Sequence, residues 1–189
     1  MDRISPRRRL ALALSAGALL VATVAGPGLA ADTVTQAVTA GTRTASVATL
    51  ALGSVVYSHT AQTSTGSMTL TADDSTGSGA GWNVTILSSA FVYTGANGGT
   101  NIAATAFSLS SAAAPTATAG QAVDVTDGPK VPTVSPVGTL DSARKTVQAN
   151  DAFGQGTYTQ ALGVSLTIPA QSRAGTYTGT LTTTIASAP

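Results

Sequence analysis

Few residues of this chain have side chains suited to catalysis. His59 is the sole histidine, Glu and Cys are absent, and Asp supplies all the carboxylates. A Ser-His-Asp triad would have to use His59, but the chain contains no Gly-x-Ser-x-Gly turn. A glycosidase would need two placed carboxylates, one of them buried with a raised pKa, which the sequence does not reveal. We therefore expect a protein that is not an enzyme.

Asp73 and Asp74 stand at the start of a Gly- and Ser-rich loop that runs to Gly81. Carboxylates in such a place can hold a calcium ion together with backbone oxygens, but the spacing fits no calcium-loop pattern. Asp at the end of a strand more often caps its own turn. We expect no metal and no cofactor, and we keep Asp73 and Asp74 as candidate ligand-binding residues.

Trp82 is the sole tryptophan, and Asn83 and Val84 follow it. An exposed indole would offer a platform for a sugar ring. The alternation of Trp82 with Val84 and Ile86 favours a core position instead, because aromatic side chains bury large apolar areas. Both interpretations stay open, and Trp82, Asn83 and Val84 complete the set of candidate ligand-binding residues.

The first residues have the pattern of a secretory signal peptide. Arg3 and Arg7 to Arg9 precede an uncharged run from Leu10 to Ala31, and small residues allow cleavage before Ala31. A retained membrane anchor is the alternative, but the strongly apolar part is shorter than the roughly 20 residues that a spanning helix needs. The sequence predicts a signal peptide at 1–30 and a secreted protein outside the membrane, and leaves general and twin-arginine export open.

Cleavage would leave five basic residues and seven Asp, a net charge of −2. The basic residues are scattered, so binding to nucleic acid is not expected. Only 9% of residues are charged, and Thr, Ser, Ala and Gly dominate, which favours strands and turns over helices. Without Cys, a secreted domain depends on one continuous core. We predict an all-β, antiparallel β-sandwich as a single domain at 44–189, with 31–43 as a flexible lead-in or a first strand.

Apolar residues recur at every second position, which is the period of strands. The alternation is clear at Met68 to Ala72, Trp82 to Ile86 and Leu162 to Ile168, and again at Tyr177 to Ile185, whose other face consists of threonines. The last two runs are close in sequence and predict an antiparallel hairpin. Further predicted strands lie at Ala45 to Leu52, Ser54 to Ser58, Ala90 to Tyr93, Ala103 to Leu109 and Ala122 to Thr126, and predicted loops at Ala112 to Ala119 and Asp127 to Pro136.

Two stretches, Asp73 to Tyr93 and Gly154 to Pro189, resemble the WxL domain of Gram-positive surface proteins. In that family a Gly-rich turn precedes a first Trp-x-Leu strand, and a Gly-x-Gly turn and an apolar strand precede a second one. Here the first motif reads Trp82-Asn83-Val84, and the second reads Thr183-Thr184-Ile185 without a tryptophan. The resemblance implies non-covalent attachment to peptidoglycan.

Our first functional hypothesis is therefore a secreted, non-catalytic protein that binds peptidoglycan or another cell-wall polymer. Its binding surface would include Trp82, Asn83, Val84, Asp73 and Asp74. The alternative is a structural or adaptor subunit that binds another secreted surface protein by strand-edge pairing, because threonine-rich strands with few charges can extend a neighbouring sheet.

Overall fold

The computed structural model describes residues 33–187, so the predicted signal peptide at 1–30 lies outside the described residues. Residues 33–42 have no regular secondary structure and are exposed. The strands that follow are β1 (Arg43–Val47), β2 (Gln62–Asp74), β3 (Trp82–Ser88), β4 (Val92–Thr94), β5 (Phe107–Ala112), β6 (Thr116–Gly120), β7 (Gly138–Thr139), β8 (Arg144–Ala149), β9 (Gly156–Ile168), β10 (Thr176–Thr178) and β11 (Leu181–Ser187). One turn of 3₁₀ helix, Ala104–Ala106, precedes β5. The all-β prediction is confirmed.

The strands pair antiparallel in two sheets and a short ribbon. The large sheet has the order β1-β2-β9-β5-β7, and β6 also pairs with β9. The small sheet has the order β11-β3-β8, and the ribbon is β10-β4. This is the sandwich-like arrangement expected from short strands that are apolar on one face.

The core lies between the inner faces of the sheets and obeys the predicted alternation. Every second residue of the long strands is buried, and the intervening Thr, Ser and Asn side chains face outward. The main contributors are Met68, Leu70 and Ala72 of β2, Trp82, Val84 and Ile86 of β3, and Leu162, Val164 and Leu166 of β9.

The predicted hairpin between the last two long runs is wrong. β9 pairs with β2 along one edge and with β5 and β6 along the other. Both edges of β9 are therefore occupied, and the chain after Ile168 joins the opposite sheet, where β10 pairs with β4 and β11 with β3. The predicted faces of the last run are correct, because the threonines of its outer face are exposed and the residues of the other face, including Thr183, are half-buried.

Several shorter predictions are also wrong. No strand forms at Ser54 to Ser58 or at Ala122 to Thr126, and the predicted loop at Ala112 to Ala119 contains most of β6. Ala103 to Leu109 begins with the 3₁₀ turn and becomes a strand only at Phe107. These segments are short and rich in Ala, Ser and Thr, so their alternation carries little information about burial.

Candidate functional site

Trp82 begins β3 and points into the core, where it is 0% exposed. Its indole Nε1 donates a hydrogen bond of 2.8 Å to the carbonyl oxygen of Gly154, and the ring centroid of Tyr158 lies 6.1 Å away. Gly154 has a φ of +79°, and a Cβ atom there would lie 2.6 Å from the same Nε1. The indole therefore supports the glycine turn from inside the domain, and it offers no face to a ligand in this structure.

Asp74 ends β2 and is buried in an ion pair. Its Oδ2 accepts a bond of 2.8 Å from Arg43 Nη2, and its Oδ1 accepts bonds from the backbone N–H and the hydroxyl of Thr76. Burial alone would raise the pKa of the Asp74 carboxyl, but the bonds from Arg43 and Thr76 outweigh it and hold the pKa below its usual value. Arg43 Nη1 also donates to Ser187 Oγ, so this pair joins β1, β2 and the end of β11.

Asp73 has a comparable structural role. Its Oδ1 accepts a bond of 2.6 Å from the Thr157 hydroxyl, and its Oδ2 accepts one of 2.7 Å from the Ser75 hydroxyl. The expectation that Asp caps its own turn is confirmed for Asp74, which accepts from the Thr76 N–H, whereas Asp73 accepts only from the hydroxyls of Ser75 and Thr157. Within residues 33–187, no group of three or more His, Cys, Asp or Glu residues is placed to hold a metal ion.

Asn83 and Val84 point to opposite sides of β3. Val84 is 0% exposed and lies opposite Val147 of β8 in the core. Asn83 is half-buried on the outer side, between Ala186 of β11 and Gln148 of β8. The predicted site residues are thus not gathered on one surface.

The five candidates divide by burial. Trp82, Val84 and Asp74 are enclosed, whereas Asp73 and Asn83 are only half-buried. A ligand on the surface of this structure can reach only the second group directly.

A continuous polar surface covers the outer side of the small sheet, and we call it the threonine face. On the edge strand β11, Thr182 lies opposite Leu87, and Thr184 lies opposite Thr85. Thr85 in turn lies opposite Lys145 of β8. The members of the threonine face are Asn83, Thr85, Leu87, Lys145, Gln148, Thr182 and Thr184, and Thr176, Thr178 and Thr180 continue the exposed row along the chain.

A second feature is a cleft of about 850 Å³, which we call the edge cleft. Its walls are segment 47–58 and segment 172–181, and its floor includes the apolar side chains of Phe91, Ile102, Phe107 and Leu166. The sequence analysis missed the cleft because it assigned a strand to Ser54–Ser58. In the structure this stretch touches β2 mainly through side chains, such as the bond of Gln62 Nε2 to the Val56 carbonyl.

His59 is exposed, as expected for a polar surface residue. Its ring makes an edge contact with the ring of Tyr57, with the centroids 5.2 Å apart. The structure shows no reason to assign a catalytic role to this histidine.

The family model described as "WxL domain surface cell wall-binding" matches residues 30–189. The chain belongs to the WxL domain family. No curated protein and no solved structure matches the sequence significantly. Membership places the protein outside the cell, in association with the cell wall. In the part of the chain that the structure describes, no helix is long and apolar enough to cross a membrane.

The WxL motifs of this chain lie on neighbouring strands. Val84 of the first motif is directly opposite Ile185 of the second, and Thr183, at the place of the second tryptophan, is opposite Ile86. Ile185 and Thr183 are half-buried and face the same way as the core residues of β3. In this WxL domain the paired motifs are therefore part of the packing between β3 and β11.

The Gly-x-Gly turn belongs to the same packing unit. Gly154 contacts the Trp82 indole, and Gly156, with a φ of +147°, would place a Cβ atom 2.3 Å from the Ala119 carbonyl oxygen. Both positions need glycine, since a side chain at either would collide with neighbours that have little room to move.

Proposed function

We propose that the mature protein, residues 31–189 after loss of a signal peptide at 1–30, binds peptidoglycan non-covalently and without catalysing a reaction. Membership of a cell-wall-binding surface family supports the class of ligand. The low charge of the chain favours a polymer of low charge density, held mainly by hydrogen bonds and shallow apolar contacts, over a strongly charged one.

We assign the binding surface to the threonine face because its exposed threonines form a regular row of hydroxyl groups. Thr182 and Thr184 present hydroxyls about 7 Å apart along one strand, as alternate residues of a strand do. Asn83 and Gln148 add amide groups that donate and accept, and Leu87 adds an apolar contact for the face of a sugar ring. Such a row of hydroxyl and amide groups suits an extended polymer.

Lys145 gives this surface one cation. Peptide stems of peptidoglycan carry carboxylates, and the ammonium of the half-buried Lys145 can bind one of them with modest strength. We expect salt to weaken binding only slightly, since hydroxyl and amide groups make most of the contacts.

Sedimentation with purified peptidoglycan over a salt series tests this function. The double variant Thr182→Val and Thr184→Val keeps the β-branched shape on exposed positions and removes both hydroxyls, so it should fold normally and bind at least tenfold more weakly, or about 1.4 kcal/mol. The matched control is Thr63→Val and Thr65→Val, which makes the same change at exposed positions of β2 in the other sheet. Equal binding by both variants would contradict the assignment of the threonine face, and absence of binding by the unmodified protein would contradict wall binding itself.

The alternative is a subunit that binds another secreted surface protein through a strand edge. Within residues 33–187, β11 pairs with β3 alone, so its second edge has no strand partner. Such a protein would capture a partner in solution without sedimenting with wall material.

A further inference from the structure

The edge cleft lies where the edges of the two sheets separate. At one end, Arg43 of β1 is bonded to Ser187 of β11, and the sandwich is closed there. Beyond Val47 the chain leaves the sheet, and the part of β2 that precedes Thr69 has no strand on that side. Segment 48–58 stands on one side of the cleft and segment 172–181, which contains β10, stands on the other, with core side chains at the floor.

The cleft has the features of a place for one more strand. The described part of the chain supplies no partner for the outer edges of β10 and β11. The floor is apolar and includes Phe91 and Phe107, whose ring centroids are 5.2 Å apart. An added strand would satisfy backbone groups at its sides and bury alternate side chains on the floor.

The segment 33–40, with the sequence TVTQAVTA, has the composition of such a strand, and it precedes Gly41 and Thr42, whose backbone groups bond to Ser75 of the same copy. It is uncharged and forms no regular structure, and Val34 and Val38 are 98% and 92% exposed. In an extended chain these two valines share one face with Gln36 between them, while Thr35, Ala37 and Thr39 occupy the other. The inner face of β11 has a comparable pattern, because Thr183 stands there between Leu181 and Ile185.

The geometry favours the cleft of another molecule over the molecule's own. The segment joins the fold at Gly41, next to the closed end of β1, whereas the cleft begins at Val47. To fill its own cleft, the segment would have to turn back and run about 17 Å along β1 before reaching it. The bond between Arg43 and Ser187 bridges the gap through which it would pass.

We propose that residues 33–40 of one copy bind as an additional strand in the edge cleft of a second copy. The segment pairs with the free edge of β10, places Val34 and Val38 on the cleft floor with Gln36 between them, and extends the row of exposed threonines. Its lack of charge avoids the desolvation of buried ions, and Arg173 is the charged member among the described residues that line the cleft. Because donor and acceptor sites are different surfaces, the contact is head-to-tail and can continue into a chain of molecules.

Sedimentation velocity of the protein beginning at Ala31, over a concentration series without wall material, tests this assembly. The weight-average mass should rise with concentration to more than twice that of the monomer. The double variant Val34→Asp and Val38→Asp should stay monomeric, because it would place charges on the apolar floor. The matched control, Thr35→Asp and Thr39→Asp, changes the outward face and should assemble as the unmodified protein does.

Engineered cysteines can identify which segment occupies the edge cleft, since the natural chain contains no cysteine. A mixture of one preparation with Val38→Cys and another with Thr180→Cys, at an exposed residue lining the cleft, should give a disulfide-linked dimer of unlike copies. A monomer at all concentrations would overturn the proposal. A disulfide formed within single molecules that carry both changes would overturn it too, by showing that the segment fills its own cleft. Neither result bears on wall binding, which is measured separately.

Discussion

At the scale of single residues, the contact between Trp82 and Gly154 explains why this domain needs both a tryptophan and a glycine turn. The indole N–H is bonded to the Gly154 carbonyl, and the absence of a Cβ atom lets the backbone lie against the ring. The position is therefore sensitive to a single added methyl group.

We predict that Gly154→Ala lowers the free energy of unfolding by at least about 2 kcal/mol, because the methyl group collides with Trp82 and Ala149 in addition to straining the backbone. Gly77→Ala is the matched control, since Gly77 also has a positive φ, of 65°, but no atom lies within 4 Å of its added Cβ. In the control, the free energy of unfolding should fall by about 1 kcal/mol, because the added methyl group strains the backbone but contacts no neighbour. Denaturant unfolding followed by the fluorescence of the single tryptophan measures both; equal losses would contradict the packing argument.

The buried Asp74 carboxylate makes stability depend on pH. Its pKa is lower in the folded protein than in the unfolded chain, so its contribution is complete above the usual Asp value of about 3.9 and is lost as the pH falls through the lower, folded pKa. Asp74→Asn should lose about 1–3 kcal/mol at neutral pH and show a smaller further loss in acid than the unmodified protein.

Urea unfolding at neutral and at strongly acidic pH checks this difference. Asp141→Asn is the control, because Asp141 is exposed and a surface change there should alter stability by no more than about 0.5 kcal/mol. If Asp74→Asn kept the acid dependence of the unmodified protein, the ion pair with Arg43 would not be its source.

At the scale of elements, the wall of the edge cleft depends on a glycine in β2. Leu52 Cδ2 and Leu50 Cδ1 would lie 2.9 Å and 3.3 Å from a Cβ atom at Gly66, so these leucines occupy the space that a side chain would fill. The Ala48 N–H still bonds to the Thr69 carbonyl, but segment 49–58 is held against β2 by packing and by side-chain bonds, not by a strand ladder.

We predict that Gly66→Val displaces segment 47–58 and speeds cleavage by chymotrypsin after Tyr57, because the leucines must leave their place over β2. Gly53→Ala, in the same segment, has no atom within 4 Å of the added methyl group and should be cleaved at the unmodified rate. Limited proteolysis followed by mass spectrometry gives both rates. Unchanged cleavage in Gly66→Val would mean that the leucines do not anchor the segment.

The sequence predicts elements better than it predicts their neighbours. Alternation at Met68 to Ala72, Trp82 to Ile86 and Leu162 to Ile168 identifies strands and their buried faces, because period two is a property of one strand. The partner of a strand depends on which strand edges remain free. Because both edges of β9 are occupied, β11 pairs with β3.

The candidate site was predicted less well for a related reason. Alternation places Trp82 and Val84 on one face and Asn83 on the other, but it does not say which face a ligand would use. The Trp82-Asn83-Val84 motif places its two apolar residues on the buried face. The sequence also predicts a face of threonines on the last run, but only the cross-strand register joins that face to Asn83 and Lys145.

At the scale of the whole molecule, one strand can serve two purposes because its faces are separate. The inner side of β3 builds the core around Trp82, and its outer side belongs to the threonine face. We infer that the WxL motifs stabilise the small sheet from its buried side and that the wall polymer binds the outer side of the same sheet. The proposed binding of segment 33–40 in the edge cleft would join several such surfaces in a row and strengthen attachment through multivalency.

The most direct test of this account compares Trp82→Phe with the double variant Thr182→Val and Thr184→Val in one sedimentation assay on peptidoglycan. Trp82→Phe keeps an aromatic core residue and loses the bond to Gly154, so we expect lower stability, by about 1–3 kcal/mol, but unchanged binding while the protein is folded. The threonine variant should keep its stability and lose its binding. The opposite result, a folded Trp82→Phe protein that no longer binds beside a threonine variant that does, would show that the tryptophan contacts the wall and would contradict the account.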